Sequence, residues 1–227
     1  MDRQGNTYTI LYSIVLVVVV AALLAVVSLS LQPAQTKNKE NEKRQNILSA
    51  IHITSTPEAS ATEFEKYIKE QYIVNSKGEE KEGNAFSIDI AGEYAKPVEQ
   101  RQLPIFVAEV DGSKKYILPV YGTGLWGAIW GYIALNEDKS TVYGAFFDHA
   151  GETPGLGAEI ATQHFTAPFQ GKQIFEGSQL VGILVVKGGA NGNHEVDGIS
   201  GGTITSKAVE TMIKNYLTYY EPFLKEK

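Results

Sequence analysis

The sequence predicts an α+β fold, with one N-terminal transmembrane helix followed by a single domain built on a largely antiparallel sheet. Three observations predict it. Positions 10–31 form a run of 22 residues without a charge. Strand-like segments in the middle of the chain succeed one another through short turns. Helical periodicity is gathered at the two ends of what remains, a pattern of α+β folds and not of alternating βαβ winding. The expected organisation is an N-terminal segment over 1–32, a juxtamembrane stalk and helix over 33–56, and the folded domain over 57–227.

At about 1.5 Å per residue, the run from Ile10 to Leu31 spans roughly 33 Å, enough for the hydrocarbon core of a bilayer. A cleaved signal peptide has a shorter apolar core, about 7–15 residues, ending at a small-x-small site. The residues from Ser28 to Gln35, SLSLQPAQ, offer no convincing site of that kind. The segment therefore reads as an uncleaved anchor in membrane lipid. Asp2 and Arg3 flank it on one side; Lys37, Lys39, Lys43 and Arg44 follow on the other, interleaved with Glu40 and Glu42. Counting Lys and Arg places the C-terminal side in the cytoplasm, although a large domain can be translocated despite such charges.

Pro33 to Asn46 reads as a polar stalk that becomes helical toward Ile47, Leu48 and Ile51. Thr62 and Glu65 have capping-box spacing, and Phe64, Tyr67, Ile68 and Tyr72 continue at helical intervals. Asn75-Ser76-Lys77-Gly78 is a turn, and the alternation of Phe86, Ile88 and Ile90 predicts a half-buried strand. Ile105–Val110 and Lys115–Val120 form a hairpin about Asp111-Gly112, a strong turn dipeptide. Further strands are expected over 128–135, 142–147 and 181–186, the first two joined by a turn at 136–139. A last helix from about Ser206 to Tyr220 carries Val209, Met212, Ile213, Tyr216, Leu217 and Tyr220 on one face.

Composition excludes several functions. With no cysteine there is no disulfide, thiolate metal site or cysteine nucleophile. A net charge of −6 argues against nucleic acid, which needs clustered Lys and Arg. The four histidines show no metal-ligand spacing, so no metal site is expected; His149 reads as a satisfied loop residue. Two glycine-rich segments stand out, residues 151–157 (GETPGLG) and 197–206 (DGISGGTITS). The second lies between a strand and a helix, where small residues admit a ligand to the backbone and free N–H groups attract a phosphate. A plain flexible loop ahead of a capped helix accounts for it equally well. It is neither a Walker loop nor a dinucleotide fingerprint.

With Asp197-Gly198 before it, SGGTITS resembles the flavinylation signature of the FMN-binding domain family. That family includes the C subunits of sodium-translocating NADH:quinone reductases and the G subunits of Rnf-type ferredoxin:NAD oxidoreductases. Glu152 to Gly157, ETPGLG, is similar to a second family element, and Gly124-Leu125-Trp126 resembles the C-subunit branch more closely. Gly202 stands where the family usually has alanine, with little effect expected.

The resemblance implies FMN held covalently by a phosphodiester on Thr203, placed there from FAD by a separate flavin transferase. It implies an electron-carrying subunit without catalytic residues of its own, whose partners are the other subunits of a membrane complex that oxidises NADH, reduces quinone and moves sodium. It also implies a single-pass protein of the bacterial inner membrane with its flavin domain outside the cytoplasm, against the charge count. The implied cofactor-binding residues are Ser200, Gly201, Gly202, Thr205, Ser206 and Lys207 beside Thr203, with Glu152, Thr153, Leu156, Gly157, Leu125 and Trp126 about the flavin ring. Thr205 and Ser206 are expected to hold the phosphate, with Lys207 as counter-charge. Asp197 either takes part in transferase recognition or fixes its turn. An Rnf-type subunit, or a tethered binding module without redox role, is the alternative.

Overall fold

In a computed structural model of the chain, residues 5–226 are described; the flanking Asp2 and Arg3 lie outside them. The chain divides into two compact units, one before Arg44 and one from Arg44 onward. The first consists of helix α1, Asn6–Ser49, whose last residues enter the second unit. The helix is long and apolar enough to cross a membrane. It continues through the segment expected as a stalk, where Lys, Glu, Gln and Asn follow Pro33 without a breaker. Ile51 falls just outside it. The helix closes in a Schellman motif, with His52 N donating to Ser49 O, Ile53 N donating to Leu48 O, and His52 left-handed at φ 62°.

The second unit begins its packing with Ile47, Leu48 and Ile51, all fully buried, ahead of the expected boundary at 57. Helix α2, Ser60–Tyr67, starts two residues before Thr62, and no side chain caps it. It ends at Tyr67, so Ile68 and Tyr72 belong to strand β1, Ile68–Val74. The predicted turn follows: Gly78 N donates to Asn75 O, and the Asn75 carboxamide oxygen accepts from Lys77 N and Glu79 N. After the short strand β2, Glu80–Lys81, the expected strand about 86–90 is instead a 3₁₀ turn, Ala85–Ser87, and helix α3, Ile90–Tyr94. Asn84 and Asp89 cap these through Phe86 N and Ala91 N, drawing the backbone out of extended geometry.

Strands β3 (Leu103–Val110), β4 (Ser113–Thr123), β5 (Ala128–Asn136) and β6 (Val142–His149) form the antiparallel meander. With β1 and β2 the sheet order is β2-β1-β3-β4-β5-β6. Asp111 and Gly112 both take positive φ, 50° and 74°, as a two-residue hairpin of matching twist requires. Beyond the sheet lie the one-turn helix α4 (Gln163–Thr166), the ribbon β7 (Phe175–Glu176) and β8 (Gln179–Leu180), and the parallel pair β9 (Leu184–Val186) and β10 (Glu195–Asp197). The strand expected over 181–186 is thus confined to its last three residues.

Helix α5, Thr203–Lys225, starts earlier and ends later than expected. Its face Val209, Met212, Ile213, Tyr216, Leu217 and Tyr220 is buried as the periodicity predicts. It packs with Ile105, Val107, Leu118, Val120, Ile129 and Ile133 in one core. The intervening Phe106, Ala108, Ile117, Tyr132 and Ala134 meet Ile47, Leu48, Ile51 and Phe64 in the other. A sheet covered on both faces needs apolar residues at successive positions, as β3 shows. Each large aliphatic or aromatic side chain buried there contributes about 1.5–3 kcal/mol. Tyr220 adds a buried hydrogen bond to Pro104 O at 2.8 Å.

Candidate functional site

Strand adjacency assembles the site. The turn between β4 and β5 is Gly124-Leu125-Trp126-Gly127, closed by Gly124 N donating to Gly127 O at 2.7 Å. Because β6 pairs with β5, the chain leaving His149 emerges beside that turn, where Ala150 N donates to Ala128 O. Helix α5 packs across β4, and Met212 sits against Gly122. Its N-terminus therefore arrives at the same end of the sheet. Residues 124–127, 150–157 and 198–205 are thereby brought together.

Glu152 ties the three segments. It is 4 % exposed. One carboxylate oxygen accepts from Trp126 N at 2.8 Å and the other from Thr205 Oγ1 at 2.6 Å. Burial alone would raise its pKa, but these bonds and the N–H groups of Leu125 and Gly127 outweigh that and hold the carboxyl below its ordinary range. Gly124 and Gly157 make room for it. A Cβ on Gly124 would stand 2.5 Å from the Glu152 carboxylate, and one on Gly157 would strike both Glu152 and Thr205. His149 Nδ1 accepts from Glu152 N at 3.2 Å, so it braces the same turn.

Gly202 is the N-cap of α5, with no side-chain cap and no acidic residue in the first turn. Ser206 N donates to Gly202 O, so the amides of Thr203, Ile204 and Thr205 precede the first intrahelical bond. Such amides, at the positive end of a helix, suit an anion. Thr203 is exposed. Gly201 turns the chain with φ 76°, where a side chain is strained. A Cβ on Gly202 would lie 2.9 Å from Ile199 Cγ2. Packing against Ile199 therefore gives the glycine a reason that loop freedom alone does not.

Thr203 is shared by two cavities. The larger, about 440 Å³, is lined by Leu125, Trp126, Glu152, Thr153, Leu156, Gly157, Gly201, Gly202, Thr203, Ile204 and Thr205. The other, about 310 Å³, is lined by Val185 to Gly188, Gly198 to Gly201, Thr203, Ser206 and Lys207. All the cofactor-binding residues expected from the sequence thus border one or the other. Trp126 is 71 % exposed, and Leu125, Leu156 and Ile204 are also exposed, so their apolar surface faces the cavity mouth instead of the core. A flat aromatic ring with an anionic tail fits this combination of apolar rim and free helix amides.

Three residues are placed otherwise than their expected roles require. Thr205 and Ser206 are buried. Their hydroxyls already serve Glu152 and the amide of Ile199, the latter at 2.9 Å. Lys207 makes an ion pair of 2.8 Å with Glu210, which also accepts from Val185 N. The Asp197 carboxylate accepts from Ala190 N at 2.7 Å, closing its own loop. Sequence reasoning missed Ile204 and the Val185–Gly188 wall. The available signal for Ile204 was its phase: it lies off the helix face that Val209, Met212, Ile213 and Tyr216 define. The wall depends on long-range β9–β10 pairing.

The FMN-binding domain family profile matches residues 124–218. The C subunit of the Na(+)-translocating NADH-quinone reductase of Yersinia pestis is 31 % identical, over 99 % of this chain and 93 % of that protein. The crystal structure of the corresponding C subunit from Parabacteroides distasonis ATCC 8503 superimposes with a TM-score of 0.82 at 45 % identity, covering 87 % of this chain and 98 % of the other. The NqrC structure from Shewanella oneidensis gives 0.72 at 25 % identity, covering 82 % and 96 %.

Proposed function

The chain belongs to the family of C subunits of Na(+)-translocating NADH-quinone reductases, and on that premise we propose that it is the membrane-anchored electron-transfer subunit of such a complex, carrying FMN covalently on Thr203. The observation that carries this reading is the position of Thr203. It opens α5 with an exposed side chain, beside three free amides, at the junction of the two cavities. Bound FMN supplies the reversible redox chemistry, and the protein supplies placement and electrostatics. The amides of Thr203, Ile204 and Thr205 would hold the phosphate. Leu125, Trp126, Leu156 and Ile204 exclude water from the ring's apolar edge, and Thr153 offers a hydroxyl beside it. Ser200, Gly201 and Gly202 shape the loop, while Thr205 and Ser206 hold it in place. Lys207 can turn from Glu210 toward the phosphate.

Attachment forms a bond from Thr203 Oγ1 to the FMN phosphorus of FAD and breaks the phosphoanhydride. AMP leaves, and the hydroxyl proton passes to a base. Among the described residues no hydrogen-bonded base reaches Thr203 Oγ1, so activation falls to the flavin transferase. The apolar part of helix α1, within residues 1–32, anchors the protein in the lipid of the inner membrane as a single pass. The polar continuation of α1 after Pro33 leads to the flavin domain, which begins at Arg44, on the extracytoplasmic side. The other subunits of the complex supply and accept its electrons. Co-expression with a flavin transferase tests the attachment. The denatured wild-type band should fluoresce under ultraviolet light and the Thr203→Ala band should not; a dark wild-type band contradicts it.

A further inference from the structure

Glu152 does more in this arrangement than hold three loops together. Its carboxylate borders the 440 Å³ cavity that Trp126, Leu156 and Thr203 also line. It is almost wholly buried. The partners of that carboxylate among the described residues are all neutral donors: backbone amides and the Thr205 hydroxyl. No Lys or Arg forms an ion pair with it among those residues. A buried charge without a counter-ion acts over several ångströms, because little water intervenes to screen it. Its hydrogen bonds keep it ionised and in place, and Gly124 and Gly157 leave it the room it occupies.

We propose that Glu152 sets the reduction potential of the flavin, keeping it low by placing a permanent negative charge beside the ring. The inference rests on the reading of the larger cavity as the flavin-ring site. An electron delivered by a neighbouring redox subunit without a proton adds one unit of negative charge to that cavity. The Glu152 carboxylate would oppose it, while the free amides at the start of α5 would serve the phosphate. Glu152 is thus a potential-setting residue, not a catalytic one. The glycines at 124 and 157 make room for the carboxylate where a larger residue would displace it.

The test uses the full chain, co-expressed with a flavin transferase and purified in detergent, and measures the flavin midpoint potential by reductive titration against reference dyes. Glu152→Gln keeps the shape and can still accept from Trp126 N, but removes the charge. Its potential should shift positive, changing the ratio of oxidised to reduced flavin at a fixed potential by on the order of tenfold. Glu152→Asp keeps the charge and should stay near wild type. Glu137→Gln removes an exposed charge beyond the other end of β5 and should leave the potential unchanged. An unmoved potential in Glu152→Gln, with flavin attached, overturns the proposal. So does an equal positive shift in Glu152→Asp, which would make the effect one of geometry. If the Gln variant fails to fold, Glu152→Ala, which also removes the charge, decides: a positive shift of that size supports the proposal, and an unmoved potential overturns it. A wild-type chain that takes up no flavin contradicts the proposed function instead.

Discussion

Replacing Gly157 by alanine tests how closely the site is built. Gly157 is buried and its φ lies outside the left-handed region, so the backbone itself tolerates alanine there. The added Cβ, however, would strike the Glu152 carboxylate and stand 2.5 Å from Thr205 Oγ1. Relief requires those two side chains to part. Overpacking of this kind costs about 1–3 kcal/mol. Loss of a buried hydrogen bond to a charged group adds about 1.5–3 kcal/mol, so the sum is about 2.5–6 kcal/mol. At about 2–4 °C per kcal/mol for a domain of this size, the midpoint of thermal unfolding should fall by roughly 5–24 °C. Circular dichroism of the purified chain in detergent reads this out. Gly155→Ala is the control: its φ is 73° with open space around a Cβ, so only backbone strain of about 1–2 kcal/mol applies. If Gly157→Ala melts within about 2–3 °C of wild type, the packing of Glu152 against Thr205 is not what holds these loops.

Other consequences follow from the same geometry. Trp126→Ala should change stability by less than about 1 kcal/mol, since the side chain is largely exposed, yet it should alter the absorption and emission of attached flavin; an unchanged spectrum would remove Trp126 from the site. Lys139, left-handed at φ 51°, donates to Phe223 O and Glu226 O at 3.1 and 3.2 Å and lies 4.1 Å from the Phe223 ring centre. Lys139→Met should therefore loosen the end of α5 and cost about 1–2 kcal/mol in denaturant unfolding. Glu152 also predicts a pH dependence. Because its folded pKa lies below the ordinary value of 4.5, its contribution is complete above that value and is lost as pH falls through the folded pKa. Acid unfolding curves of Glu152→Gln should be flatter than wild type below about pH 4.5; parallel curves would refute this.

The central hairpin and α5 were legible because each carries a local signal that agrees with the tertiary one. Asp111-Gly112 demands positive φ, and the buried face of α5 repeats at helical spacing along its length. The segment about Phe86, Ile88 and Ile90 misled because three alternating apolar residues fit a strand as well as two short helical turns packed on the core. Asn84 and Asp89, both good caps, were the discriminating signal. Ile68 and Tyr72 matched helical spacing only by coincidence. Pairing of β1 with β3, a contact distant in sequence, overrides the local pattern. At the site, glycine spacing and the resemblance it carries pointed to the residues that border the cavities. Which hydroxyls were free could not be read there. Thr203 and Thr205 are chemically alike in the sequence, and only the fold turns one outward and commits the other to Glu152.

That difference can be put to a direct test. The protein should be purified from its native membrane, weighed intact, and its peptides mapped by fragmentation. The expected result is a mass increment of one FMN less one water, located on Thr203. An unmodified chain, or the increment on Thr205 whose hydroxyl is buried against Glu152, would contradict the assignment of Thr203 as the flavin carrier.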